Sequence, residues 1–509
     1  MTKKLGISRR NFLKSAAVTA GAATIGCGIK SVEACTLPEK WDRTVDVVVI
    51  GAGAAGLMSA VQAHDAGGEV LLIEKSKSVN SSATRLSGGL FSAACTKSQE
   101  KEGVKDSSED YAKDIMIYGD YMNYPDLVKV WSEKSGEVFE WMCDHGFTEY
   151  RLESYPGHRN KRGNRTSSYT GREFVDVLYK VLQEKKINLE FGTGVSRFFY
   201  DKESARVVGI EATAGNDKFT VKAKKGVILA SGGFSNNTKF IDSWVPSVAG
   251  CMVTGGASND GSAMMMAVRD LGAPLTHMQY VAAYPWGIPI GGRNGISCRY
   301  YYFTDAGGIL VNKKGARFLS EQTGVTKITN ELPKQEEKCH FLLVDKAMWD
   351  ETLKKYDIGA LFTMPAWTQE RVDEEFGKGK VMFTAKTLED VAKLAGIPPE
   401  ELANTVTKYN KAVVDKDDAE FGRTNLPREF KEGPFYMVKM TFWVPIVLGG
   451  IRINSDMQVM DAEGKGIKGF YGAGEVVGGV HGTSYNGGNA ISWAHTSGYL
   501  AGKNVVKQG

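Results

Sequence analysis

The chain has 509 residues, too many for one hydrophobic core, and its length alone predicts roughly two to four domains. Hydrophobic residues make up 42% and charged residues 24%, a globular composition that excludes wholesale disorder. The formal charge of +4 is concentrated at one end: residues 1–34 hold six Lys/Arg against one Glu, leaving the rest at −1 and without the basic footprint of a nucleic-acid binder. Glycine is abundant, at 59 residues beside only 14 prolines, so many backbone positions must approach something closely or take positive φ.

Residues 1–34 read as a targeting segment. Ser8-Arg9-Arg10-Asn11-Phe12-Leu13-Lys14 precedes a weakly apolar run from Ala16 to Gly28, and Val32-Glu33-Ala34 offers small residues for cleavage. This resembles a twin-arginine export signal, which implies a folded protein delivered to the periplasm or the outer face of the cell envelope. No later stretch approaches the roughly 18 apolar residues of a membrane helix, so no integral membrane segment is expected. The seven cysteines form no C-x-x-C or C-x-x-C-H, which argues against covalent haem and Cys-ligated clusters, and no metal-ligand spacing occurs.

Val45–Ile50 is a β-branched run suited to a strand buried on both faces. It leads into Gly51-Ala52-Gly53-Ala54-Ala55-Gly56, a helical pattern to Ala66, and a second strand that ends in Glu74. Each part has a purpose. Gly51 permits the tight turn, Gly53 admits a pyrophosphate, Gly56 lets helix and strand pack, and Glu74 accepts ribose hydroxyls. The α/β pattern therefore predicts a dinucleotide site at the start of the mature chain.

Two further segments select FAD over NAD. Ser82, Thr84, Ser87, Gly88 and Gly89 follow the second strand, where flavoproteins keep small and hydroxyl residues. Gly469–Glu475 forms a strand-and-acid element containing Gly474 and Glu475, and Gly488-Asn489-Ala490-Ile491 opens a helix. With Ala230-Ser231-Gly232, Asn259-Asp260-Gly261, Gly307–Asn312, Arg317, Glu321 and Gly472–Gly482, the chain resembles the fumarate reductase/flavocytochrome c-type FAD-dependent oxidoreductases. That family also includes urocanate reductases and 3-ketosteroid dehydrogenases, and the resemblance runs from about residue 43 to 505. It implies one non-covalent FAD and adds Lys75, Val195, Ala230, Asp260 and His481 to its contacts, His481 as a positioning residue. The implied architecture is α/β, with a split Rossmann-like FAD domain of glutathione-reductase type at 36–278 and 447–509. An α+β capping domain is inserted at 279–446.

The resemblance fails where the family's reductases clamp carboxylates. Tyr284, Pro445, Tyr485 and Val325 stand at the positions of two histidines and two arginines, and Tyr301 and Thr304 replace an acid and an arginine that deliver protons. The expectation is a pocket without cationic carboxylate ligands, so fumarate is not the expected substrate. Tyr485, placed much as ketosteroid dehydrogenases place a carbonyl-binding tyrosine, is expected to hold a carbonyl oxygen. Tyr284 and Tyr301 add aromatic wall, and a tyrosine, Lys327 or Arg299 supplies a proton. Three functions remain open: reduction of an enone or enoate with electrons from a separate cytochrome or quinol-linked partner, the reverse steroid-type dehydrogenation, or electron transfer without C=C chemistry. A deep pocket around Tyr485 favours the first two. His158, among Arg159, Lys161 and Arg162, is read as part of a solvated loop.

Overall fold

A computed structural model describes residues 36–508 except 156, 254, 257, 292–293, 323–324 and 364–366, and only the backbone of 294–295 and 325–327. The export signal, Cys27 and Cys35 lie outside the described residues. The fold is mixed α/β and is organised around two large sheets.

The first sheet is built on the predicted motif. Strand Arg43–Ile50 lies between two parallel neighbours, Val70–Glu74 and Asp217–Leu229. Val47, Val48 and Val49 are 0% exposed, as a strand covered on both faces requires. Asn188–Phe191 extends the parallel set beyond Val70–Glu74. On the other side Gly466–Gly472 pairs parallel with Asp217–Leu229, bringing the C-terminal part of the chain into the sheet. The meander Thr193–Asp201, Arg206–Ala214 and Asp217–Leu229 is antiparallel and carries the alternating burial of a half-covered surface.

Helix Ala54–Asp65 crosses this sheet with every residue from Ala54 to Ala63 buried. Its closeness to the strand depends on glycine. Gly51 has φ +102°, and a Cβ there would lie 2.5 Å from the Ala230 carbonyl oxygen. A Cβ on Gly56 would lie 1.7 Å from the Gly51 carbonyl oxygen. The last helix, Asn489–Gln508, packs on the same helix, and side chains at Gly498 and Gly502 would each come within 2.4 Å of a backbone oxygen, those of Ala55 and Ser59.

The second sheet uses residues between 252 and 447, in the order Met252–Val253, Asn294–Cys298, Val281–Gly291, Phe435–Val447, Cys339–Val344, Ile309–Val311. Its core is separate from that of the first sheet and centres on Ile288, Phe303, Leu310, Leu342 and Met440. A small third cluster, Ala282, Ile446 and Leu448, joins Tyr280, Tyr284 and Tyr485 between the two. The pairing of Val281–Gly291 with Phe435–Val447 is irregular on both sides of Tyr284, which stands opposite Trp443.

One expectation is corrected. The segment around His158 is not simply a solvated loop: Arg159 and Lys161 reach the surface, but Arg162 is internal. Arg162 is 0% exposed and bonds Asp106 and Asp114, each at 2.6 Å. His158 places Nε2 3.0 Å from the Gly487 carbonyl oxygen, and burial pushes its imidazole down to about 4. Local composition suggested solvent exposure, but the acids that neutralise the segment lie about 50 residues earlier in the chain.

The glycine contacts generate a paired prediction. Gly56→Ala should cost about 3 kcal/mol through overpacking, read as a lower thermal midpoint. Gly377→Ala, within helix Gln369–Lys378 and with nothing within 4 Å of its Cβ, should be neutral or stabilising by up to about 1 kcal/mol.

Candidate active site

A cleft of about 1470 Å³, including its open mouth, runs from the start of helix Ala54–Asp65 to the second sheet. Gly51, Gly53, Ala54, Ala55, Glu74, Ser82, Thr84, Ser87, Gly88, Ala230, Ser231, Gly232, Gly474, Glu475, His481, Gly488, Ala490 and Ile491 all line it, as do Arg299 and Tyr485. A second cavity of about 430 Å³ shares Gly51, Glu74 and Ser231 and is walled by Lys75, Val195 and Asp260. Lys75 and Asp260 pair across it at 2.8 Å.

The walls fit an elongated dinucleotide. Helix Ala54–Asp65 starts at Gly53 with no side-chain cap, so its first N–H groups are left for a ligand. Glu74 accepts the N–H groups of Ala52 (2.8 Å) and Ser76 (2.7 Å) and keeps further acceptor capacity. His481 is buried with Nδ1 unpartnered within the protein, an orphan that a bound group would satisfy. Burial pushes its imidazole down to about 3, so it is neutral at working pH.

Several singled-out residues serve elsewhere. Gly56 and Gly89 do not line the cavities: Gly56 packs helix on strand, and a Cβ on Gly89 would meet Thr166 Oγ1 at 2.1 Å. Asn489 is buried beneath, where its Oδ1 accepts the Tyr111 hydroxyl at 2.8 Å. Lys327 belongs to helix Val325–Glu331, and its side chain lies outside the described residues. Tyr284 and Tyr301 stand behind the lining. Tyr284 stacks on Trp286 (4.6 Å, 6°) and meets Tyr485 edge-on at 6.4 Å, while Tyr301 meets Trp286 edge-on at 5.9 Å.

Arg299, expected as a proton source, stands in the cleft. Arg299 is 7% exposed and lines the cleft with Tyr485 and Pro445. It comes from the second-sheet side, at none of the four positions where relatives keep carboxylate ligands. Tyr155 and Arg165 line the cleft too and were missed, since segment 150–166 carries no motif. Arg165 is held by Glu153 at 2.7 Å and donates to the Gly88 carbonyl. Burial holds the Tyr485 phenol far above its usual range, so it stays a neutral hydrogen-bond donor.

Residues 46–491 match the FAD binding domain family, and residues 6–26 match the TAT (twin-arginine translocation) pathway signal sequence. The chain is 34% identical over 487 residues to "Fumarate reductase (cytochrome)" of Shewanella frigidimarina, covering 94% of this chain and 80% of that protein. It is 28% identical over 534 residues to "Acrylate reductase flavoprotein subunit" of Shewanella woodyi, covering 100% of both. The open conformation of a flavocytochrome c3 fumarate reductase matches with TM-score 0.79 at 28% identity, over 100% of this chain and 83% of that one.

Glu475 yields a pH prediction. Burial raises its carboxyl from the ordinary 4.5 to about 7, against the pull of the Val447 and Gly233 N–H groups and the Asn259 amide. A raised acid favours the fold while protonated, so this contribution is full below 4.5 and is lost as pH rises to about 7. The loss should reach about 3 kcal/mol. Denaturant unfolding of the flavin-free protein should show that decline, and Glu475→Gln should flatten it.

Proposed function

The chain belongs to the FAD binding domain family, its cofactor is FAD and it is an oxidoreductase; from this we propose an exported reductase of a C=C bond conjugated to a carbonyl, acting on an apolar or aromatic substrate. The N-terminal twin-arginine signal supports export, with the periplasm as the proposed destination. Among the described residues no helix is long and apolar enough to cross a membrane.

In this reading the FAD domain is Rossmann-like and split between 36–278 and 447–509, and residues 279–446 cap it. The strands of the two sheets support this division, except that Met252–Val253 joins the second sheet. The N-terminus of helix Ala54–Asp65 would hold the pyrophosphate, Glu74, Lys75, Val195 and Asp260 the adenosine end, and Ser82–Gly88 with Gly488–Ile491 the ring end.

FAD, when reduced, supplies the hydride that adds to the β-carbon of the substrate. The chain's own residues do the rest. Tyr485 donates a hydrogen bond to the carbonyl oxygen, where negative charge develops as the β-carbon is reduced. Tyr284 and Trp286 back that phenol with a stacked aromatic wall and keep water from it. The proton for the α-carbon comes from Tyr301, Lys327 or Arg299. A separate cytochrome or quinol-linked protein delivers the electrons.

The observation that carries this reading is a buried, neutral phenol on the wall of the cleft, its ring centroid 5.8 Å from that of His481. Tyr485→Phe should lower kcat on an aryl-substituted α,β-unsaturated carbonyl compound by ~10²–10³ with FAD content unchanged. Fumarate turnover should be negligible in both enzymes. A fully active variant, or rapid fumarate reduction, would overturn the role of this tyrosine. Replacing Arg9 and Arg10 together by Lys should strand flavin-loaded protein in the cytoplasm, as read by fractionation; unchanged export would reject the twin-arginine route.

A further inference from the structure

Arg299 is a buried charge without a counter-ion. The other buried arginines are all neutralised by acids: Arg162 by Asp106 and Asp114, Arg165 by Glu153, and Arg423 by Glu321. Arg299 makes no ion pair within 4 Å among the described residues, and no undescribed residue between 36 and 508 is Asp or Glu. Burial acts on it most strongly, opposed by the phenols of Tyr301, Tyr155 and Tyr302 and by a hydrogen bond with Tyr302. A guanidinium stays charged at equilibrium and does not neutralise to suit this environment. A buried charge left unpaired is strongly destabilising, so the pairing anion must come from outside the chain.

Two anions could enter the cleft, the cofactor's pyrophosphate and the substrate. The geometry favours the substrate. Arg299 immediately precedes helix Tyr300–Asp305 on the second-sheet side and bonds the Leu361 carbonyl oxygen through its own N–H at 2.9 Å. It adjoins Tyr301, which connects through Trp286 and Tyr284 to Tyr485 by ring contacts of 5.9, 4.6 and 6.4 Å. The uncapped helix N-terminus that suits a pyrophosphate belongs to the other sheet, at Gly53. Arg299 is also none of the four positions at which the family resemblance places carboxylate ligands.

We propose that Arg299 anchors a single carboxylate on the substrate, which makes the substrate class a monoanionic enoate with a flat aromatic or apolar body. This rests on the reductase reading above and narrows it. The planar fork of the guanidinium matches a carboxylate with two parallel hydrogen bonds, and the surrounding rings take the rest of the molecule. Among the described lining residues the only other cation is Arg165, already bound to Glu153. A dicarboxylate therefore leaves one charge unpaired, and a neutral enone leaves Arg299 itself unpaired.

The test is equilibrium binding to the oxidised holoenzyme, which needs no turnover. Titration calorimetry would compare 3-phenylpropanoate, 3-phenylpropanamide and succinate. Wild-type protein should bind the phenyl acid ~10²–10³-fold more tightly than its amide, and succinate no better than the amide. Arg299→Met should abolish that preference by weakening the acid alone, Arg299→Lys should keep part of it, and FAD content should be unchanged in both. Equal binding of acid and amide by the wild type, tighter binding of succinate, or loss of FAD from Arg299→Met would each overturn the proposal. The wild-type comparison decides even if a variant does not fold. A fully active Tyr485→Phe enzyme with acid selectivity intact would remove the role of the tyrosine and leave the anchor standing.

Discussion

Much of this molecule depends on one helix start. Helix Ala54–Asp65 begins on Gly53 without a side-chain cap, so its first N–H groups have no partner in the chain. Such an end suits a negatively charged group, and the backbone nearby leaves that place free. Gly51 turns with positive φ beneath the Ala230 carbonyl, and Gly56 lets the helix sit against its own entry turn. A side chain at either position would push the helix away and fill the space the ligand needs. From the other side, Gly498 and Gly502 bring the last helix onto the same backbone. The helix is thus held by close backbone contact on two sides while its charged end stays exposed to the cleft.

The rest of the cleft follows from how buried charge is handled. Asp106 and Asp114 neutralise Arg162, and Glu321 with Asp418 neutralises Arg317. These closed networks support the fold and face inward. Glu475 takes the opposite course: it has amide donors but no cation, and burial raises its carboxyl to about 7, so that much of it is protonated near neutrality. His481 is likewise kept neutral by burial. The ring end of the cleft therefore offers polar groups with little formal charge, and Arg299 stands out against that background.

The sequence made the first half of the site readable. A β-branched run, three spaced glycines and an acid at the end of the next strand have a single geometric solution, and residues 43–74 adopt it. Val195 and Asp260 were legible only through family resemblance, because nothing local marks the smaller cavity they line with Lys75. Tyr155 and Arg165 were not legible at all, since their place in the cleft depends on the small sheet of Tyr150–Glu153 and Gly163–Thr166 with Leu90–Ser92. The segment around His158 was misread for a related reason. Charge near in sequence says little about burial when the neutralising acids lie on another element. Likeness to relatives marked the missing carboxylate ligands, and it named Arg299 only as a proton source.

The first sheet takes a strand from each end of the chain: Arg43–Ile50 and Gly466–Gly472 both flank Asp217–Leu229. The cleft then closes with Gly488, Ala490 and Ile491, far along the chain from Gly51 and Gly53. A nascent chain still attached to the ribosome near residue 470 has the helix start but not the wall opposite it. Capture by the whole cleft therefore needs the segment around Gly488–Ile491 to have been made, and a route that threads the chain unfolded across a membrane would dismantle the site. The topology of the sheet thus sets an order of events, in which the protein folds and loads first and is transported afterwards.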